Sequence, residues 1–245
     1  MTENNNMVGK GQGESICGIC MCRIKDNTLF TNLTDKEIDV FKNVVTTSSH
    51  KKKEVIFMED DQCLGLYIVR IGRIKLVRSS KDGREHIIKI LLPGDLLGLE
   101  VFCDADTYAN SAVVMEEASL CFVRKADFFK VLESAPDVSR KIMMALGKEL
   151  HQAYEKIGNL GLKNAKEKLA HLLHSLALEY GVRDSAGVRL HLTLSRLEIA
   201  EMLGITQETS IRLLKGFKEE GVIDIERKEI VIFSMEKLAV LGGVQ

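Results

Sequence analysis

Residues 195–218, with the sequence SRLEIAEMLGITQETSIRLLKGFK, carry the strongest structural signal in the chain. Ser195, followed three residues later by Glu198, has the pattern of a capping box at the start of a helix. Gly204 is expected to end this helix, because glycine tolerates the left-handed conformation found there. Thr206 then suits the N-cap of a second helix. The stretch therefore predicts two short helices joined by a tight turn.

Apolar residues recur at helical spacing in both predicted helices. The residues expected to face inward are Leu197, Ile199, Ala200, Leu203, Ile205, Ser210, Leu213, Leu214 and Phe217. The residues left facing outward in the second helix are Gln207, Glu208, Ile211, Arg212 and Lys215. A helix-turn-helix places this part of its second helix in the major groove of DNA. For an isolated amphipathic helix, a solvated outer face is the commoner explanation.

Two further features favour DNA reading over a solvated face. Two β-rich runs, Val222–Ile225 and Ile230–Phe233, flank a charged turn at residues 226–228, as in a winged helix. Glu208 and Arg212 lie one helical turn apart, and such a pair suits the two partners of a G·C base pair.

Composition places the chain among soluble globular proteins, with a formal net charge of −1. Near-neutral charge argues against nonspecific coating of nucleic acid but not against a sequence reader with one basic face. The N-terminus lacks the apolar core of a signal peptide, and no apolar run approaches the length of a membrane span. We therefore expect a cytoplasmic protein without a membrane partner. The absence of recognisable catalytic motifs predicts that it is not an enzyme.

Between residues 53 and 123 the hydrophobic period changes to that of β-strands. The predicted strands are Val55–Phe57, Leu66–Val69, Arg73–Arg78, His86–Leu91, Ser111–Met115 and Ser119–Val123. Turns are expected at Gly72 and at Lys81–Gly83. Many short strands at regular spacing are typical of an all-β barrel or roll.

Helices are predicted on both sides of this β region. Short ones are expected at Thr34–Phe41 and Ala126–Glu133, and a long one begins at Pro136. The long helix carries an apolar stripe at steps of three and four: Val138, Ile142, Leu146, Leu150, Ala153, Ile157 and Leu160. This stripe suits a seam in a parallel dimer, or packing on the chain's own β-roll, or both on different faces. A hinge is predicted at residues 161–165, followed by a helix to about Tyr180.

Cysteines form the second chemical signal. Cys17, Cys20 and Cys22 lie within six residues, beside a polar tail with no periodic apolar context. C-x2-C spacing is typical of soft-metal and cluster sites. A thiol redox switch and the absence of a function remain alternatives. The pair His171 and His174 lies at metal-binding spacing, but without a neighbouring acid or thiol we interpret it as surface.

The sequence GITQETSIRLL with its wing resembles the CRP/FNR superfamily of bacterial transcription regulators, as do residues 71–75 and 93–98. The resemblance runs from about Asp26 to the C-terminus. It implies an α+β fold with a flexible cysteine-bearing segment (1–25), a cyclic-nucleotide-binding-like β-roll (26–135), a dimerisation helix and hinge (136–161) and a winged helix-turn-helix (162–245). It also implies a homodimer whose partners are double-stranded DNA and RNA polymerase.

Cyclic-nucleotide binding is expected to be lost. Cyclic-AMP-binding members carry a Glu for the ribose and an Arg for the cyclic phosphate. Asn110 stands where the Arg would be, Leu99 falls near the Glu position, and Glu100 is one residue off. Losing the guanidinium removes the main charge-assisted contact to the phosphate. In this segment the chain resembles the oxygen-sensing FNR branch.

That branch holds an oxygen-labile [4Fe-4S] cluster, so the resemblance implies the ligand set Cys17, Cys20, Cys22 and Cys121. The spacing of the first three is closer than in the familiar form, and Cys63 or Cys103 remains an alternative to Cys22, as does zinc for the cluster. Haem (with His50, His86 or Cys103), a thiol switch and a small ligand in the roll are rival sensors. A metal or redox protein that never touches DNA is a further alternative, disfavoured by the Glu208/Arg212 pair and the wing.

For DNA, Glu208 is expected to accept from cytosine N4 and Arg212 to donate to guanine, while Gln207 prefers adenine. The resemblance implies a TGA half-site within a palindrome. The expected phosphate contacts are Ser195, Arg196, Thr206, Thr209 and Lys215.

Overall fold

The computed structural model describes residues 43–103, 106–190, 192–226 and 229–243. Twelve strands and six α-helices lie in these ranges. The predicted helix Thr34–Phe41 and the N-terminal cysteines Cys17, Cys20 and Cys22 lie outside the described residues.

Two four-stranded antiparallel sheets form an N-terminal β-roll, with strand orders β1-β8-β3-β6 and β2-β7-β4-β5. The strands are β1 Val45–His50, β2 Val55–Phe57, β3 Gly65–Ile71, β4 Ile74–Ser79, β5 Glu85–Leu91, β6 Leu96–Leu97, β7 Ser111–Val114 and β8 Ala118–Arg124. All six strands predicted in this region are confirmed. The edge strand β1 was not predicted, because VTTSSH is mostly polar and only half-buried.

Aromatic rings fill the space between the two sheets. Phe57 of β2 stacks on Tyr108, with ring centroids 3.8 Å apart, and lies 5.8 Å from Tyr67 of β3. The Tyr108 hydroxyl donates to the carbonyl of Gly65 at 3.1 Å. The Phe122 ring of β8 lies 4.7 Å from Tyr67, so it also faces this interior. The interior of the roll thus contains a packed cluster of aromatic rings within a mostly aliphatic core.

Two helices follow the roll: α1 Lys125–Ser134 and α2 Pro136–Leu162. The first turns of α2 pack on the roll, since Val138 and Ile142 are at most 2% exposed. Farther along, Leu150 is 53% and Ile157 64% exposed. The predicted apolar stripe therefore has two parts, one buried against its own roll and one facing outward. The helix continues into the stretch predicted as a hinge and ends at Leu162.

The C-terminal lobe combines helices with a small antiparallel sheet of order β11-β12-β10-β9. Its elements are α3 Ala165–Tyr180, β9 Gly181–Asp184, β10 Gly187–Leu190, α4 Arg196–Leu203, α5 Gln207–Glu219, β11 Ile223–Glu226, β12 Glu229–Ile232 and α6 Met235–Leu241. Asn164 starts α3 with a capping box that includes Glu167. The two-stranded wing is confirmed; β9 and α6 were not predicted.

The two lobes share a hydrophobic core. Val77, Ile87 and Ile90 lie on the β4–β5 hairpin of the roll, and they pack in one cluster with Leu169 of α3 and Leu203 of α4. These side chains are at most 5% exposed. Burial of this much aliphatic surface favours the contact between the lobes by the hydrophobic effect.

Candidate nucleic-acid interface

The two helices of the helix-turn-helix are fixed by their caps. The Ser195 hydroxyl accepts from the Glu198 amide at 3.1 Å, and the Glu198 carboxylate accepts from the Ser195 amide at 2.7 Å. Gly204 ends α4 in the left-handed conformation, with φ of 65°. The Thr206 hydroxyl accepts from the Thr209 amide at 3.2 Å and begins α5. All four local predictions are confirmed.

One face of α5 is buried and anchors the helix. Ser210, Leu214 and Phe217 are at most 1% exposed. Ile205 packs against the same core at the corner between the helices. Leu197 was predicted to face inward, and this is wrong, because its side chain is 49% exposed. It points into an open cleft between α4 and the β4–β5 hairpin, where the short helix has no neighbour to bury it.

The other face of α5 is open. Its exposed residues are Gln207, Glu208, Ile211, Arg212 and Lys215, as predicted. Glu208 and Arg212 make no ion pair with each other or with any residue in the described ranges, so their polar atoms remain available. Lys215 lies 3.6 Å from Glu219, a weak exposed pair. The face therefore presents both hydrogen-bond donors and acceptors on a helix whose other face is buried.

The base of the wing is held by an ion-pair network around Arg189 of β10. Its guanidinium contacts Asp184 at 3.1 Å, Glu226 at 3.2 Å and Glu229 at 3.3 Å. These hydrogen bonds, led by that of Asp184, raise the pKa of Arg189. The network links β10 to β9 and to both strands of the wing. The predicted turn residues Arg227 and Lys228 lie outside the described part.

Cys121 is the one predicted cluster ligand in the described residues. It lies on β8, opposite Thr47 of the edge strand β1. Successive side chains of a strand point to opposite faces, and Phe122 faces the roll interior, so Cys121 faces the outer side of its sheet. The side chain is 2% exposed, and its sulfur lies 3.9 Å from the Thr47 hydroxyl. The described structure begins two residues before β1, and β1 pairs with the strand that carries Cys121.

The other two cysteines occupy different surroundings. Cys63 is 6% exposed, and burial raises the pKa of its thiol. Cys103 is exposed. Within the ranges that the structure covers, no three Cys, His, Asp or Glu side chains are grouped as a metal site. The His171 Nδ1 lies 3.2 Å from Lys163 Nζ.

Both halves of the chain match known families. Residues 47–135 match the cyclic nucleotide-binding domain, and residues 167–241 match the Crp-like helix-turn-helix domain. The chain is 30% identical to the anaerobic regulatory protein of Aggregatibacter actinomycetemcomitans over 91% of its own length and 86% of that protein. The chain belongs to the CRP/FNR family of transcription regulators. Its relatives are regulators and not enzymes.

Two further comparisons place the chain within the CRP/FNR family. It is 28% identical to the fumarate and nitrate reduction regulatory protein of Vibrio cholerae over 91% of this chain and 89% of that protein. The solved structure of FixK2 from Bradyrhizobium japonicum superposes with a TM-score of 0.72 at 28% identity, covering 81% of this chain and 97% of that one. The resemblance inferred from sequence is confirmed, and the chain is an FNR-type regulator with a DNA-binding helix-turn-helix.

In this CRP/FNR protein, the segment that matches the cyclic-phosphate site makes hydrogen bonds to side chains of the same chain. The Glu100 carboxylate accepts from the Ala109 amide at 3.1 Å, and Arg78 donates to the Ala109 carbonyl at 2.6 Å. Asn110 is exposed. The loss of cyclic-nucleotide binding stays a prediction, which these contacts favour.

The residues that connect the roll of this regulator to its helix-turn-helix were not predicted from the sequence. Lys75 of β4 pairs with Glu85 at 2.8 Å and approaches Glu201 of α4 at 3.7 Å. Lys75 and Glu201 are both charged residues in elements whose other side is apolar, a pattern that indicates only a solvated position. No local signal could have revealed a pair so distant in the chain.

No helix in the described ranges is both long and apolar enough to cross a bilayer.

Proposed function

We propose that the chain reads a palindromic DNA site as a homodimer and changes its DNA affinity with oxygen or nitric oxide, through a cysteine-bound iron–sulfur cluster. The observation that carries the DNA part is the open face of α5. Glu208 and Arg212 lie one turn apart on it, without partners among the described residues, above a buried face that holds the helix in place. Glu208 would accept from cytosine N4, and Arg212 would donate to the guanine O6 and N7.

The remaining contacts orient the protein without specifying sequence. Phosphate contacts are proposed for Ser195, Arg196, Thr206 and Thr209 near the N-termini of the two helices, and for Lys215 farther along α5. Helix N-termini favour anions because their first amides are unpaired within the helix. Gln207 would read the outer base of the TGA half-site, with a preference for adenine.

Dimerisation is proposed along the outward stripe of α2. Met143, Leu150, Tyr154 and Ile157 recur at steps of seven, four and three, and each is at least 53% exposed. Steps of this kind keep a stripe facing a partner helix. A two-fold dimer places its two recognition helices about one helical turn of DNA apart, which explains why the DNA site would be palindromic. Contact with RNA polymerase is part of the same proposal and follows from the family.

The sensor is proposed to be a [4Fe-4S] cluster held by Cys17, Cys20, Cys22 and Cys121. Support comes from the C-x2-C spacing of Cys17 and Cys20, which is typical of cluster sites. Cys22 follows more closely than in the familiar form and is the least secure ligand of the set. The position of Cys121 on the outer face of its sheet, opposite Thr47 of β1, supports the proposal further. A cluster bound there would be open to attack by oxygen or nitric oxide, and its loss would free the N-terminal segment from β8. The signal then reaches DNA only if two arrangements of the chain differ in stability.

The test uses protein purified without oxygen. Broad visible absorption with about four irons and four sulfides per chain, lost in air, is expected for the cluster. DNA binding is measured in the same samples with a duplex that carries two inverted TGA half-sites one turn apart. A change in affinity on exposure to air is expected, with no change for a duplex whose half-sites are scrambled.

A matched set of variants assigns the ligands. Cys121→Ser is expected to abolish iron retention, whereas Cys103→Ser, at an exposed position, is expected to retain it. Loss of iron in Cys103→Ser, or in Cys63→Ser, with full retention in Cys22→Ser, would reassign the fourth ligand. A sharp haem band, or a colourless protein whose DNA affinity still responds to air, would overturn the cluster and leave the DNA part of the proposal intact.

A further inference from the structure

A cavity of about 160 Å³ lies where the two lobes meet. It is lined by β5 of the roll and by α2, α3 and α4, so both lobes contribute to its wall. Its apolar lining includes Ile88, Leu172 and Met202. A cavity of about 150 Å³ lined by aliphatic side chains is large enough to hold one benzene ring.

The ionisable side chains that line this cavity are all basic. Lys156, Lys168, His86 and His171 contribute to the wall, and no Asp or Glu does. The larger cleft next to it differs, because acidic residues such as Glu201 offset the basic ones there. A basic lining around an apolar floor therefore distinguishes this cavity from the neighbouring cleft.

The basic groups come from different elements and converge at the cavity. Lys156 of α2 reaches across to β5, where its Nζ donates to the Ile88 carbonyl at 2.9 Å. Lys168 of α3 has no ion pair or side-chain hydrogen bond in the described ranges. Its charge is therefore available to a ligand.

The surroundings of His171 agree with an excess of positive charge. Burial lowers the pKa of this imidazole, the charges of Lys163 and His174 lower it further, and the charge of Glu155 opposes the shift. An anion in the cavity would attract Lys156 and Lys168 and would favour protonation of this imidazole. It would also replace some of the hydration that they lose on burial.

We propose that this cavity binds a small amphipathic monoanion, namely a carboxylate attached to an apolar body about the size of one ring. The apolar body would rest on Ile88, Leu172 and Met202, and the carboxylate would meet Lys168 and the neighbouring imidazoles. Ligand sites commonly lie at domain interfaces, with an apolar lining and a few polar groups that fix orientation. Because both lobes line the cavity, an occupant would stabilise their packed arrangement.

Benzoate is the probe, and benzyl alcohol is the neutral control of nearly equal shape. Saturation-transfer NMR and calorimetry on the full chain should show benzoate binding with Kd of about 1 mM or lower. Benzyl alcohol should bind at least about tenfold more weakly, since it lacks the charge. The imidazole resonances of His86 and His171 should shift with benzoate and stay unchanged with benzylamine.

Three variants locate the site. Lys168→Gln should weaken benzoate binding by about fivefold, and Ser175→Leu, which places a larger side chain in the wall, should weaken it at least as much. Lys166→Gln is the control on the same helix, because Lys166 pairs with Glu220 away from the cavity. It should leave benzoate affinity unchanged.

The proposal is overturned by any of three results. These are no binding of benzoate up to about 20 mM, equal affinity for benzoate and benzyl alcohol, or equal weakening by Lys168→Gln and Lys166→Gln. Circular dichroism of each variant separates a misfolded chain from a lost site. None of these readouts depends on DNA or on a cluster.

Discussion

Lys75 on β4 and Glu201 on α4 face each other across the boundary between the lobes, with 3.7 Å between Nζ and Oε2. The Glu201 carboxylate is only 13% exposed, and its Oε2 has no hydrogen-bond partner in the described structure. Lys75 also pairs with Glu85 at 2.8 Å, so two carboxylates share one ammonium. Burial raises the pKa of Glu201, and the attraction of Lys75 only partly opposes this shift. The charge of Glu201 therefore opposes the packed arrangement of the two lobes.

Glu201→Gln is expected to raise the melting temperature at pH 7 by about 2 °C. Because the folded-state pKa of Glu201 lies above its unfolded value, the contribution of this group to stability is fully present below the unfolded pKa. It is lost as the pH rises through the folded pKa. The advantage of the variant should therefore be seen at pH 7 and disappear near pH 4. Calorimetry over this pH range measures it.

Glu85→Gln is the matched control, because it removes the more exposed partner of the same lysine. A surface ion pair contributes about 0–1 kcal/mol, so its effect should be small and of the opposite sign. A lower melting temperature for Glu201→Gln at pH 7 would show that the Lys75 contact outweighs the cost of burial.

Arg212→Ala is expected to cost about 1–3 kcal/mol at a TGA-containing site and to relax the preference for guanine. The reason is the loss of a bidentate contact with one base. Lys215→Ala, on the same face, should weaken binding to all sequences about equally and reduce the slope of affinity against salt concentration. Fluorescence anisotropy with matched and substituted duplexes measures both. Equal loss on cognate and random DNA would show that Arg212 only contacts phosphate.

Leu150→Asp is expected to convert a dimer to a monomer at micromolar concentration, because it places a charge in the proposed helix–helix seam. Leu178→Asp is the control: Leu178 is 72% exposed but lies on α3, outside the seam. Analytical ultracentrifugation measures the mass of each variant. A dimer that persists in Leu150→Asp would place the interface elsewhere.

The parts of the fold that depend on residues adjacent in the sequence were predictable. The caps at Ser195 and Thr206 and the glycine stop at Gly204 are local signals, and each appears in the structure as predicted. Leu197 was predicted wrongly because helical spacing alone does not show where a short helix lacks a neighbour. The contact between Lys75 and Glu201 was not predictable, because lobe packing depends on surfaces that come together only in the folded chain. The cavity at the lobe boundary was not predictable either, because it too is formed only when the lobes pack together.

Ser210→Ala is expected to raise the free energy of unfolding by about 1 kcal/mol. Ser210 is fully buried in α5, and its hydroxyl has no hydrogen-bond partner in the described residues. Removing an unsatisfied hydroxyl recovers its desolvation cost, and alanine is also the better helix former. Ser139→Ala supplies the contrast, since the Ser139 hydroxyl donates to the Leu132 carbonyl at 2.8 Å and its loss should destabilise by about 1 kcal/mol. Urea unfolding measures the free energy of unfolding of both variants. If both substitutions destabilise the chain equally, the Ser210 hydroxyl has a partner in solution, such as an ordered water.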